Sequence, residues 1–169
     1  QSSIVNLAEQ SDSFSEQGRQ ASSTIGGISA LAQQMEQTVG VAALRSFIEL
    51  AKIDHLLFKL DVYQVFMGTS EASAEDLATP AGCRLGKWYY EGEGKTCFSQ
   101  LDGYRTLEGP HLEIHRQGRI AVESYRAGNI AAGLDAVEQM EAASLNVLQC
   151  LERIAQDGDA KPDVLFLQR

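Results

Sequence analysis

The sequence has few basic residues, because 14 lysines and arginines stand against 23 aspartates and glutamates, which gives a formal net charge of −9 at pH 7. Nucleic-acid phosphates and anionic lipids attract surfaces of the opposite sign, so both are poor candidate partners. No apolar run approaches the ~20 residues that cross a bilayer, and the opening QSSIVNLAEQ lacks the basic and apolar regions of a secretory signal. We therefore expect a cytoplasmic protein without membrane insertion.

Cysteine is also scarce. The three cysteines, Cys83, Cys97 and Cys150, are odd in number and irregularly spaced, so they do not form a disulfide framework. A reducing compartment, with the thiols free or bound to a metal, fits them better. The first residue is Gln rather than Met, and we expect the chain to be part of a longer protein.

Strand signals are almost absent, since alternating runs of Val, Ile, Thr and aromatic residues do not occur. Residues 4–42 contain no proline and carry a repeat of mostly apolar residues at alternating spacings of three and four. Such a repeat predicts a coiled coil, which needs a partner helix to cover its apolar side. We assign residues 1–43 to the coiled-coil end of a signalling helix. The repeat consists of Ile4, Leu7, Ser11, Phe14, Gly18, Ala21, Ile25, Ile28, Ala32, Met35, Val39 and Ala42.

Residues 44–157 are predicted to form an all-α, antiparallel four-helix-type bundle with a short broken insertion, followed by a tail at 158–169. The first helix is rich in large apolar residues, and one side of it is traced by Phe47, Leu50, Ile53 or Asp54, Leu57, Asp61 and Val65. Gly109 and Pro110 interrupt the chain, and a helix is predicted to start there, with Pro110 in its first turn. Leu112 and His115 are expected on its buried face.

His111 and His115 stand four residues apart in GPHLEIHRQGR, which puts both rings on one face of a helix, one turn apart. The remaining histidine, His55, lies in the densely apolar segment IDHLLFKL. Three histidines with a thiol make a tetrahedral zinc site, although each histidine alone is more often a hydrogen-bonded core residue. Spacing leaves the thiol open between Cys83 and Cys97; Cys150, in LQCLERI, is better explained as a packing residue.

The segments IDHLLFK, CRLGKWYYEGEGK and GPHLEIH, in that order, resemble the chemoreceptor zinc-binding domain of bacteria. The resemblance implies a zinc site made by His55, Cys83, His111 and His115, with Cys83 as the redox-reactive ligand. It further implies a regulatory domain that senses zinc or an oxidant such as hypochlorous acid. The implied partners are a second copy of the chain, as a homodimer, and the chemotaxis kinase complex, reached through the upstream signalling helix of a methyl-accepting chemotaxis protein.

Other readings remain open. The family also occurs fused to diguanylate cyclases, although no GGDEF sequence is present here. A purely structural module with zinc as a staple is the main alternative. A zinc hydrolase is disfavoured because HLEIH is not HExxH and Glu113 projects away from His111, and a di-iron bundle would need more carboxylates. We expect Trp88, Tyr89 and Tyr90 to anchor the core after a loop, and Asp54 to be a surface or helix-pairing charge.

Overall fold

The computed structural model describes residues 2–160, and all of their regular structure is helical. The longest helices are α1 (Ser2–Phe66), α4 (Asp102–Arg126) and α5 (Ile130–Ala160). Between α1 and α4 the chain forms a short 3₁₀ helix (Ala74–Asp76) and two short helices, α2 (Arg84–Tyr90) and α3 (Glu93–Cys97). The predicted all-α bundle with a short broken insertion is confirmed. The predicted tail at 158–169 lies outside the described residues from 161 onwards.

The chain divides into two compact units, one up to Val39 and one from Gly40. The first unit is helical, and its large apolar residues are exposed to solvent; they include Ile4, Leu7, Phe14, Ile25, Ile28, Met35 and Val39. These residues all belong to the predicted repeat. A helix with an exposed apolar stripe needs a partner, so the coiled coil stays a prediction.

Ion pairs between α1 and α5 show the direction of α5 in the second unit. Lys52 Nζ lies 2.9 Å from Glu152 Oε2, Lys59 Nζ lies 2.9 Å from Glu141 Oε2, and Arg45 pairs with Asp159. As the basic residues advance along α1, their acidic partners recede along α5, so the two helices are antiparallel. Seven-residue spacing keeps the three cations on one face of α1.

Helix α4 is also antiparallel to α5 and therefore parallel to α1. Its residue Gln117 donates to Gln139 Oε1 of α5 over 2.6 Å, and Asp102 at its start faces Arg153 near the end of α5. The insertion, 67–101, carries the chain back to the end of the bundle where α4 begins. Consequently His55 of α1 and the two histidines of α4 lie at the same level.

The side of α1 traced from the sequence is only partly buried. Leu50 and Leu57 are 44% and 52% exposed, whereas the core includes Leu44, Ile48, Ala51, His55, Phe58 and Val62. Both faces of this stretch are apolar, so periodicity alone cannot choose between them. The buried face is the one whose Phe58 fits against Gly118 of α4, where an added Cβ would lie 2.6 Å from the ring.

The predicted helix start at Pro110 was wrong, because α4 begins at Asp102 and contains Pro110 in its interior. An interior proline removes one backbone donor and normally costs about 3 kcal/mol. Gly109 reduces the conflict because it has no Cβ to clash with the ring that follows. Packing along α5 favours the uninterrupted helix. Leu112, expected on the buried face, is 43% exposed, whereas His115 is buried as expected.

Within residues 2–160, we find no helix with the length and apolar character needed to cross a membrane.

Replacing Gly103 by Ala should destabilise the bundle. A Cβ at this position would lie 2.9 Å from the Cys150 carbonyl oxygen, which is main chain of α5 and cannot rotate away. Overpacking of this kind costs about 1–3 kcal/mol, against about 1 kcal/mol gained in helix propensity. Urea unfolding followed by circular dichroism should therefore show a lower midpoint. Gly27→Ala is the control, since nothing lies within 4 Å of a Cβ there, and its midpoint should not fall.

Candidate metal centre

Four side chains from three parts of the second unit converge on one point. His55 comes from α1, Cys83 from the insertion, and His111 and His115 from α4. One ligand atom of each lies within 4.8 Å of all the others. The three histidines are only 1–3% exposed, and Cys83 is half-buried. The structure thus brings together the four residues that the resemblance implied.

A main-chain hydrogen bond fixes the tautomer of His55. Its Nδ1 lies 2.7 Å from the Ala51 carbonyl oxygen, one turn earlier in α1. A carbonyl oxygen only accepts hydrogen bonds, so Nδ1 carries the proton and Nε2 of the neutral ring keeps a lone pair. Nε2 is buried and has no hydrogen-bond partner.

His115 repeats this arrangement with a carbonyl from the insertion. Its Nδ1 lies 2.8 Å from the Ala78 carbonyl oxygen, and its Nε2 is also buried without a partner. The ring packs edge-on against Phe58, with centroids 4.5 Å apart. Histidines that bind metals typically donate a hydrogen bond from the other ring nitrogen, because this bond orients the ring and makes the ligand nitrogen more basic.

Cys83 is held by a tight turn at the start of α2. Its Sγ lies 3.3 Å from the Gly86 amide, which donates to it, 3.4 Å from the Pro80 carbonyl oxygen, and 3.2 Å from His111 Nε2. Gly86 packs directly on the turn, since an added Cβ would lie 1.8 Å from the Pro80 oxygen. The presence of glycine at position 86 therefore allows Cys83 to face His111.

Burial keeps the donors of this cluster neutral. Loss of hydration lowers the pKa of His111 to about 3 and that of His115 to about 4, and the neighbouring histidines contribute in the same direction. Burial likewise lowers the pKa of His55. Burial raises the pKa of the Cys83 thiol, and the Asp54 carboxylate adds to this effect. At neutral pH the three rings are uncharged and have lone pairs available.

A metal ion fits these residues. Two buried nitrogens without partners are costly unless something accepts their lone pairs, and a cation does so. Three imidazoles and one thiolate form the tetrahedral donor set typical of zinc. Calcium and magnesium, which prefer oxygen ligands, do not match it.

A cleft of about 210 Å³ reaches the cluster from the surface. Its walls include His55, Cys83 and His115, together with Asp54 and Arg84. Arg84 Nε lies 2.8 Å from Asp54 Oδ2, so Asp54 pairs α1 with α2. The cleft gives a small molecule a path to the sulfur atom.

The other candidates from the sequence lie elsewhere. Among the described residues, Cys97 and Cys150 are free and outside the cluster. Glu113 is bound to Arg116 and Gln117 on its own helix. Trp88 is buried and stacks on Phe47 and Phe98, which supports its role as a core anchor.

Sequence reasoning missed the main-chain part of the site. The main-chain carbonyls of Ala51 and Ala78 orient two of the histidines. Every residue has such a carbonyl, so the residue type does not show which one will face a histidine. Gly86 had a signal of its own in the sequence, because glycine is the residue that allows close approach of the backbone.

Residues 55–122 match the chemoreceptor zinc-binding domain family. The matched segment begins at His55 and ends at Val122, so it contains all four residues of the cluster. This part of the chain is a zinc-binding regulatory segment, and zinc, the predicted cofactor, is confirmed. Comparison with curated proteins and with solved structures gave no match.

Replacing Gly86 by Ala should weaken metal binding. The new Cβ would collide with the Pro80 carbonyl, so the turn that holds Cys83 must move. Changes just outside a ligand shell lower metal affinity by about 10–100-fold. Zinc affinity should be measured by competition with a chromogenic chelator. Lys87→Ala is the control, because Lys87 lies on the exposed side of the same helix, and an equal loss in both variants would contradict the argument.

Proposed function

We propose that this chain is the sensor region of a bacterial chemoreceptor, in which His55, Cys83, His111 and His115 bind zinc and Cys83 is the redox-reactive ligand. The observation that carries the proposal is the pair of buried, unpartnered Nε2 atoms of His55 and His115 beside the contact between Cys83 and His111. The match to chemoreceptor zinc-binding domains supports the chemotaxis setting.

The donor set favours sensing over hydrolysis. Catalytic zinc sites use three protein ligands and leave a position for water, whereas four protein ligands close the site. A hydrolase also needs a general base, and Glu113 is engaged by Arg116 at 2.6 Å and by Gln117 at 2.7 Å. The four donors and the engaged Glu113 therefore favour metal binding over catalysis at this cluster.

Cys83 is the donor that an oxidant can alter. When bound, zinc would hold this sulfur as the thiolate, which is the nucleophilic form. Without a metal, burial raises the pKa of the thiol and keeps it protonated at neutral pH. The cleft of about 210 Å³ lets a small neutral oxidant reach the sulfur.

Hypochlorous acid can oxidise the Cys83 thiolate without a further reagent. The Cys83 thiolate and HOCl give the sulfenic acid, Cys–SOH, and chloride; the sulfur loses two electrons and the chlorine gains them. A sulfenic acid is a poorer ligand than a thiolate, so Cys83 would leave the donor set while the three histidines remain. The segment from Cys83 to Tyr90 would then shift relative to α1 and α4.

His55 connects the site to the output. It lies in α1, the helix whose sequence also carries the seven-residue repeat of residues 4–42. We infer that a change at the site alters this helix and, through it, the chemotaxis kinase complex in the cytoplasm. A diguanylate cyclase in place of the kinase would use the same site with a different upstream partner.

Hypochlorous acid should release zinc, or weaken its binding, only when Cys83 is present. The purified chain should contain one zinc ion, and stoichiometric HOCl should raise its loss to a chromogenic chelator at least several-fold. Cys83→Ser should remove this response, because serine is not oxidised in this way. Cys97→Ser and Cys150→Ser are matched controls and should respond like the unmodified chain.

The outcomes separate the competing functions. If HOCl leaves the rate of zinc loss to the chelator unchanged, zinc has a structural role only, and a chain without zinc would contradict the proposed site. Release that is equal in Cys83→Ser would mean that another group reacts with the oxidant.

We further propose that the functional form is a homodimer paired along α1. Ile53, Leu56 and Leu60 are between 42% and 52% exposed, and they continue the spacing of the repeat that begins at Ile4. The matching partner for such a stripe is a second copy of the same stripe.

Charge on this stripe should weaken the dimer. Replacing Ile53 and Leu60 together by Glu would bring like charges onto a surface that is apolar in the unmodified chain, and the dimer dissociation constant should rise at least tenfold. Sedimentation equilibrium of the zinc-loaded chain measures this constant. Leu145→Glu, on α5 and outside the repeat, is the control, and a monomeric unmodified chain would contradict the proposal.

A further inference from the structure

An ion pair joins the two residues that directly neighbour His55 and Cys83 in the sequence. Asp54 precedes His55 on α1, and Arg84 follows Cys83 at the start of α2. Arg84 Nε lies 2.8 Å from Asp54 Oδ2, and both residues line the cleft that leads to the cluster. The pair thus spans two elements that each supply one donor.

The position of Cys83 relative to His55 depends on how α2 is attached to α1. The contacts of the sulfur with Pro80 and Gly86 lie within its own turn, so they fix the turn but not its place on the bundle. At the far end of α2, Trp88 stacks on Phe47 of α1 with ring centroids 4.8 Å apart. At the near end, Leu85 is buried in the core and Cys83 Sγ contacts His111 of α4, and the Asp54–Arg84 pair is the attachment that joins this end directly to α1 beside His55.

We propose that Asp54 and Arg84 are positioning residues that keep Cys83 at the metal and so set how readily this ligand detaches. The inference rests on the proposed zinc site. Trp88 holds the helix, and the ion pair prevents its first turn from swinging away from His55. Weakening the pair lets Cys83 leave the donor set more often without removing any ligand.

The strength of the Asp54–Arg84 ion pair depends on how far its side chains are exposed to solvent. The side chains of Arg84 and Asp54 are 51% and 29% exposed, so solvent screens the pair. Pairs of this kind change an equilibrium by about two- to fivefold. The pair therefore adjusts the detachment of Cys83 and does not create the site.

The sign of the effect distinguishes positioning from simple electrostatics. Removing the positive charge of Arg84 lowers the repulsion on a nearby cation, so electrostatics alone predicts tighter metal binding and slower detachment. Positioning predicts the reverse, because the tether is lost.

The test uses the full chain loaded with Co²⁺ or zinc. In the Co²⁺ form, the thiolate-to-metal absorption band reports the bond to Cys83; in the zinc form, alkylation of Cys83 by iodoacetamide, followed by peptide mass spectrometry, reports detachment. Arg84→Ala should keep the band and speed alkylation about two- to fivefold. The exchanged variant Asp54→Arg/Arg84→Asp should restore the slow rate, because it rebuilds the pair.

Arg116→Ala is the matched control. Arg116 follows His115 as Arg84 follows Cys83, but its partner Glu113 lies on its own helix, with 2.6 Å between Nη2 and Oε1. Cys83 should be alkylated at the same rate in Arg116→Ala as in the unmodified chain. An unchanged or slower rate in Arg84→Ala, or no recovery in the exchanged variant, would overturn the positioning role. A missing thiolate band in the unmodified chain would instead contradict the proposed zinc site.

Discussion

The metal centre depends on two hydrogen bonds, in which His55 and His115 donate their Nδ1 protons to main-chain carbonyls. These bonds leave the Nε2 lone pair of each ring buried and without a partner. A buried polar atom of this kind opposes folding of the metal-free chain, since its hydration is lost and nothing replaces it. A cation that accepts the lone pairs removes the penalty, so metal binding and stability of the bundle are coupled. Zinc therefore acts on the fold as well as on the site.

The donors differ in how they are supported. The histidines lie on long helices, α1 and α4, and both helices are joined to α5 by side-chain contacts. Cys83 stands on the insertion, where a turn packed against Gly86 presents the sulfur. The insertion also supplies the Ala78 carbonyl that orients His115, so a movement of this segment affects two ligands together. The bundle thus holds three of the donors, and the insertion is the part that would respond first to a change at the sulfur.

The sequence was sufficient for the all-α fold class and for placing His111 and His115 on one face of a helix, because both follow from helical periodicity. It was not sufficient for the buried face of α1, where apolar residues occur on both sides and the fit of Phe58 against Gly118 decides. Pro110 was misleading for a similar reason, since local propensity favoured a break while packing along α5 favours a continuous α4. Cys83 as the fourth member came from the resemblance, because no spacing rule relates a residue in an insertion to histidines on two helices. Asp54 was expected to be a surface or pairing charge, and only the structure gives it Arg84 as its partner.

The unequal burial of the donors bears on whether zinc is a staple or a sensor ligand. In a purely structural zinc site we expect four equally protected donors, since the loss of any one of them weakens the fold. Here the three histidines are almost completely buried, while Cys83, the donor most easily changed by oxidation, is half-buried at the end of a cleft. The donor on the insertion is therefore the most exposed of the four, although His55 and His115 also line the cleft. In the proposed sensor, a change at the sulfur would first move α2 and the Ala78 segment and would reach α1 through His55, so that a local change of ligand biases a larger element.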